Sequence, residues 1–280
     1  MKDTNSLYLS IDEEDIETGL CILDLLGFND ENKTEPLCIN FNRIKSRLTV
    51  YQNPSADKQT YCLPLYHSVR CPARRYTQEL GNNLTIPKLI KVSACVAIES
   101  TDNKILLARK TEILDLFPKY WGFPGGKTNH RENPKDCAIR EAISQTGIPF
   151  KISPDGVWYS NQLVEIEPIL LYENLYPNDL NIGLMRAQHV TMFFRAKIPV
   201  ASHEIALNLQ QNEIDFAVWL AKDEYDDIKM DYNGTLEGLL RSRRSMQINY
   251  SQLAGVAPNS IGEGISEGHK IALDIIFSAQ

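Results

Sequence analysis

Residues 126–148 read GKTNHRENPKDCAIREAISQTGI, and this stretch decides the fold. Asn133 suits a helix N-cap, because its side-chain oxygen can accept a backbone N–H of the first turn. Pro134 follows at the first helical position, where a missing N–H costs nothing. KDCAIREAISQT continues the helix, and Gly147 can end it in a left-handed conformation. Positions 141, 144 and 145 stand at i, i+3 and i+4 and share one helix face. Glu141, Ser144 and Gln145 occupy them, one carboxylate beside two neutral oxygen donors.

The surrounding sequence alternates strands and turns. LIKVSACVAIES, from Leu89, is an apolar strand rich in β-branched residues. TDN marks a turn and KILLAR a second strand, so the two form a hairpin. FPKYWGFPGGK, next along the chain, is dense in turn formers. Beyond the helix, strands are expected near 156–172, over 189–198 (HVTMFFRAKI) and over 214–220 (IDFAVWL). AKDEYDDIKM suits a short helix, and 266–278 a terminal helix with Ile265, Ile271, Ala272, Ile275 and Ile276 as its apolar stripe. Upstream, 11–28 has helical spacing with acidic residues in its first turn, and 36–51 alternates like strands. From there to Pro87 the composition reads as a loop region. The pattern predicts an α+β fold, an α/β/α sandwich, with a small N-terminal α/β extension. Its divisions are 1–88, 89–231 and 232–280.

The stretch 126–148 resembles the Nudix box, G-x5-E-x7-R-E-U-x-E-E-x-G-U, with U an apolar residue. Gly126, Glu132, Arg140-Glu141, Ala142 and Gly147-Ile148 fall at the required intervals, and WGFPGGK and LLARK upstream also suit the family. So many fixed residue types at fixed spacing make a specific signal. NEIDFAVWL, YENLYP, GLMRAQHV and ISEGHKIALDIIF extend the likeness to one animal branch of that family. The resemblance implies a Nudix fold and a hydrolase of nucleoside diphosphate-linked substrates, dependent on Mg2+ or Mn2+. By analogy the substrate includes the m7G cap at an mRNA 5′ end. It also implies that Glu141 binds metal or acts as base. Glu213, in a loop six residues before Trp219, contributes a second carboxylate. Gly125, Gly126 and Gly147 shape the box, and Glu132 with Arg140 steadies it through charge-assisted bonds.

The chain departs from the pattern where the box has its paired glutamates. Ser144 and Gln145 stand there, so the ligand set Glu141, Glu213, Gln145 and Ser144 is two negative charges poorer. Hard cations favour anionic oxygens, so weak metal binding and slower chemistry are expected. Asp136 and Glu165 are possible substitutes that no spacing singles out. The alternatives are a non-catalytic module that holds a nucleotide or cap, and an interaction protein that uses the fold as scaffold. His189, Tyr176 and Met185 are candidate substrate contacts, with Tyr172 near them. Against each stands ordinary strand or core packing. RSRR at 241–244 reads first as solvated surface.

Composition bounds these readings. The 280 residues carry a net charge of −7, which argues against bulk attraction to a nucleic-acid backbone. With 43% hydrophobic and 23% charged residues, the chain reads as an ordinary globular protein. No apolar run is long enough to cross a bilayer, and the start lacks a signal core, so a cytoplasmic location is expected. The cysteines Cys21, Cys38, Cys62, Cys71, Cys95 and Cys137 form no CxxC and read as reduced thiols. Cys62, His67 and Cys71 are close in sequence, but a zinc site would need a fourth ligand that is not evident. Nothing in the sequence fixes the oligomeric state.

Overall fold

A computed structural model of the chain describes residues 6–10, 36–42, 47–51, 61–67, 90–114, 117–176, 187–240, 242–254 and 264–280. The expected helix over 11–28, with Cys21, lies outside these residues, as do Cys71, Met185 and Arg241, and Tyr176 is described only in its backbone. Among the described residues no helix is long and apolar enough to cross a membrane.

The residues fall into two compact units, interleaved along the chain. The first comprises 1–94, 127–137 and 168–193, and the second 95–126, 138–167 and 194–280.

In the first unit the strands are β1 (Ser6–Ser10), β2 (Pro36–Asn42), β3 (Arg47–Tyr51) and β4 (Tyr61–His67). The unit also takes parts of β5 (Ile90–Glu99), β11 (Gln162–Tyr176) and β12 (Ala187–Lys197). Their order is β1-β3-β2-β4-β11-β12-β5. Leu48 and Val50 on β3 and Leu63 and Leu65 on β4 are buried at alternate positions, whereas Leu37, Cys38 and Ile39 on β2 are all buried. β4 lies where the sequence reads as loop. Its Pro64 hid it, since proline cannot donate to a ladder. The parallel register with β11 runs from Leu65 to His67, past that proline. Glu173 stands opposite His67 in this register and is fully buried, 3.3 Å from its Nε2, while Gln188 donates to the same carboxylate at 2.7 Å.

In the second unit the order is β12-β5-β6-β13-β14-β15, with β6 at Ile105–Lys110, β13 at Ile214–Leu220, β14 at Thr235–Leu240 and β15 at Ser245–Asn249. Ile105, Leu106, Leu107 and Ala108 are all buried, because β6 is an inner strand covered on both faces. The turn before β6 uses Asn103 at positive φ, as TDN predicts. Short strands β7 (Trp121–Gly122) and β8 (Gly125–Lys127) come from the WGFPGGK segment, and β9 (Phe150–Ser153) pairs with β10 (Gly156–Tyr159). Neither β9 nor the β14–β15 hairpin is evident in the sequence. Ser242, Arg243 and Arg244, the described part of RSRR, lie in the turn of that hairpin, with Arg243 at positive φ.

Helix α1 is Pro134–Thr146, with the expected cap: Lys135 N–H donates to Asn133 Oδ1 at 2.9 Å. Helices α2 (Lys222–Lys229), α3 (Ser251–Ala254) and α4 (Glu267–Ser278) follow. α2 and α4 meet through Tyr225 and Phe277, whose rings lie 5.5 Å apart, and through the Tyr225 hydroxyl on Lys270 O at 3.1 Å. Arg195, on β12, forms a bidentate pair with Glu99, which also accepts from Gln280 at 2.9 Å.

Asp102, in the β5–β6 turn, accepts from both the N–H and the hydroxyl of Ser202 at 2.7 Å. Burial alone would raise this carboxyl, but the Ser202 donors, then Ser100, hold it down to about 2. A depressed folded value adds stability that is full above the unfolded value near ~4 and is lost as pH falls through the folded one. Asp102→Asn should lower Tm at neutral pH and flatten the Tm-versus-pH curve between about pH 4 and 2. An unchanged acid limb would contradict this account.

Candidate functional site

The site lies in the second unit, on the face of α1 turned toward β8. Gly126 lies so close to the helix that a β-carbon there would sit 2.7 Å from Glu141 Cδ. Glycine at 126 therefore leaves the space that the Glu141 carboxyl fills. The Glu141 side chain is 14% exposed, and Arg140 Nη1 pairs with its Oε1.

Gln145, one turn further and 3% exposed, joins the parts. Its Oε1 accepts the Gly125 N–H at 3.1 Å and its Nε2 donates to Gly125 O at 3.0 Å. The same Nε2 lies 3.2 Å from Glu141 Oε2 and 3.1 Å from Glu213 Oε2. Glu141 and Glu213, 72 residues apart in sequence (213 − 141), thus converge on one atom.

The loop that carries Glu213 is fixed by the end of α1. A helix leaves its last carbonyls without internal partners. Asn208 N–H donates to Thr146 O at 2.7 Å, and Gln210 N–H to Gln145 O at 3.1 Å. Thr111, just past β6, holds the loop's far end: its N–H donates to Glu213 O at 2.9 Å and its hydroxyl to Asn212 O at 3.2 Å. Ser144 is exposed, and its hydroxyl donates to Gln210 Oε1 at 3.1 Å.

Two further groups join the surroundings that the sequence did not single out. Burial pulls the Lys110 ammonium below the ordinary lysine range, while Glu213, Cys95 and Glu141 pull it back up. His269 on α4 is half-buried, packs against Gly122 and accepts the Phe123 N–H at Nδ1, 3.0 Å away. Burial, with the Lys110 charge nearby, pushes its imidazole down to about 3, so it is neutral and its proton sits on Nε2. The start of α4 also grips β7, with Trp121 N–H on Gly264 O at 3.0 Å and Ser266 N–H on Trp121 O at 3.2 Å.

Of the remaining sequence candidates, Glu132 Oε2 accepts the Asn129 N–H at 2.8 Å. His189 belongs to the first unit, where it is buried and its Nδ1 lies 2.9 Å from Ser93 Oγ. Tyr172, of the same unit, is buried. Among the described residues no third histidine, cysteine or acid joins Glu141 and Glu213, Asp136 and Glu165 included. The donor set still suits a hard divalent ion in kind, since two anionic oxygens converge on one point.

A family model described as NUDIX domain matches residues 89–237, more than half of the chain. The chain belongs to this family. Over 166 residues the Nudix chain is 28% identical to m7GpppN-mRNA hydrolase NUDT17 of Danio rerio, covering 58% of this chain and 52% of that protein. It is 24% identical to the Homo sapiens protein of the same name over 234 residues, covering 82% and 68%. The chain thus spans about half the length of the first of these relatives. A MutT Nudix hydrolase structure from Burkholderia pseudomallei is 16% identical, with 66% of this chain and 97% of that chain covered and a TM-score of 0.38.

Gly147 ends α1 at φ +73°, where a β-carbon would lie 2.7 Å from Asn208 Cβ and 3.1 Å from its backbone nitrogen. Gly147→Ala should therefore destabilise the protein by about 1–2 kcal/mol in urea unfolding. A loss close to zero would mean that the 208–210 loop is not anchored at this helix end.

Proposed function

We propose that the chain is a Nudix-type hydrolase of nucleoside diphosphate-linked substrates, working with a reduced set of carboxylates. The observation that carries this reading is the convergence of Glu141 and Glu213 within 3.2 and 3.1 Å of one Gln145 nitrogen. One acid at a box position and one on the loop before β13, held by backbone and helix contacts, suit proton abstraction beside a diphosphate. Water attacks one phosphorus, the P–O bond on its far side breaks, and the products are a nucleoside monophosphate and a phosphorylated remainder.

Glu141 takes the proton of the attacking water, and Arg140 beside it orients the carboxylate through Oε1. Glu213 adds the second negative oxygen, and Lys110 lies within the field of both acids. Glu141 and Glu213 would hold Mg2+ or Mn2+, which offsets the charge of the diphosphate and favours a hydroxide nucleophile. Two carboxylates where the box has more support weak binding of the ion.

The NUDT17 relatives, which are named as m7GpppN-mRNA hydrolases, support this choice of substrate class. A capped RNA 5′ end or a free nucleotide diphosphate is the ligand proposed here. This reading keeps 1–88 as an accessory region, 89–231 as the hydrolase domain, 232–280 as an extension, and the cytoplasm as the compartment.

Assay of the full chain against capped RNA and a panel of nucleotide diphosphates, with Mg2+ and Mn2+, tests the reading. Glu141→Gln should cut turnover by roughly 10²-fold or more. Absence of turnover across the panel, with nucleotide binding retained, would make the chain a binding module. Gly126→Ala separates site from scaffold. The three atoms nearest its β-carbon all belong to the end of the flexible Glu141 side chain. Stability should stay within about 1 kcal/mol of the parent while kcat falls. Loss of fold and turnover together would refute that account.

A further inference from the structure

Gln145 stands where the box has a glutamate, and its side chain does more than fill the place. Its amide makes a two-point bond to the Gly125 backbone, through Oε1 on the N–H and Nε2 on the carbonyl. That pairing fixes which way round the amide lies. Turned over, Oε1 would face Gly125 O and both carboxylates, and Nε2 would face the Gly125 N–H. The group has two hydrogens and three acceptors in reach: Gly125 O, Glu141 Oε2 and Glu213 Oε2. One N–H serves the carbonyl, so the other is shared between the two acids. Arg140 holds the other oxygen of Glu141, so the Gln145 amide is the group that Glu141 Oε2 and Glu213 Oε2 have in common.

We propose that Gln145 is a positioning residue that stands in for a cation. Its NH2 group bridges Glu141 and Glu213 in the ion-free protein, and position 145, not 144, sets how strongly the pair demands a divalent ion. This rests on the hydrolase reading of the same pocket only for its role in catalysis. Ser144 is the contrast. It is exposed, and its hydroxyl serves Gln210. A carboxylate built at 144 would extend toward Gln210 and solvent. A carboxylate built at 145 would set an anionic oxygen against Gly125 O and two acids, a crowding of negative oxygens that a bound divalent ion would relieve.

The test compares the full chain with Ser144→Glu and Gln145→Glu by thermal unfolding in EDTA and in Mn2+, and by calorimetric titration with Mn2+ alone. Gln145→Glu should lose Tm in EDTA, regain it in Mn2+, and bind Mn2+ roughly tenfold or more tightly than the parent. Ser144→Glu should match the parent in both measurements. Should Gln145→Glu fail to fold in EDTA, adding Glu141→Gln removes one acid and should restore folding without the ion. A Gln145→Glu protein equally destabilised with and without Mn2+ would reduce Gln145 to a structural brace and overturn the proposal. Equal tightening by Ser144→Glu would overturn it too. None of these readouts uses turnover. A parent that hydrolyses nothing, beside a Gln145→Glu variant with ion-dependent stability, would sink the hydrolase reading alone. A parent that turns over, beside an ion-indifferent Gln145→Glu, would sink this inference alone.

Discussion

A single primary amide ties together three stretches of chain that lie far apart in sequence. Gln145 on α1 holds the Gly125 backbone by both its N–H and its carbonyl, and the same nitrogen faces Glu141 and Glu213. In a buried setting such bonds are stronger than in water, and their absence is costlier. The amide thus fixes the spacing between β8 and α1 and holds two like charges side by side. Gly126 makes that spacing possible, because the Glu141 carboxyl occupies the room a side chain would need.

The loop from 205 to 213 depends on the same helix. Asn208 and Gln210 satisfy the carbonyls of Thr146 and Gln145, two groups the helix cannot serve itself. Having docked there, the loop reaches Thr111, and its last residue presents Glu213 to the amide. Arg243, in the β14–β15 turn, donates to Asn208 Oδ1 at 2.9 Å and steadies the loop from outside. The basic run at 241–244 thus serves a turn and a structural contact in its described part.

The C-terminal helix does comparable work for the glycine-rich segment. His269, neutral at physiological pH, accepts the Phe123 N–H and packs against Gly122, where a β-carbon would lie 2.7 Å from Nε2. Its ring meets that of Phe123 edge-on at 4.9 Å. Residues near the end of the chain thereby hold β7 and the turn that leads to Gly125. Lys110 adds a cation near Glu141 and Glu213, and its charge helps keep His269 unprotonated.

The sequence by itself determined what local periodicity and spacing encode. The cap at Asn133, the end of α1 at Gly147, the β5–β6 hairpin, β13 and α4 were all legible, because short-range sterics and apolar alternation dictate them. So was the grouping of positions 141, 144 and 145 on one face, which follows from the helical repeat. β4 was not legible, since Pro64 argues against a strand until a partner strand is present, nor were β9 and the β14–β15 hairpin. Tertiary structure alone decided that Gln145 turns its amide inward while Ser144, one residue earlier, turns out to Gln210. It alone brought Glu213, Lys110 and His269 to the pocket. The physical reason is that hydrogen bonds across 20, 68 or 146 residues arise from how strands and helices pack, and no local pattern in the chain records them.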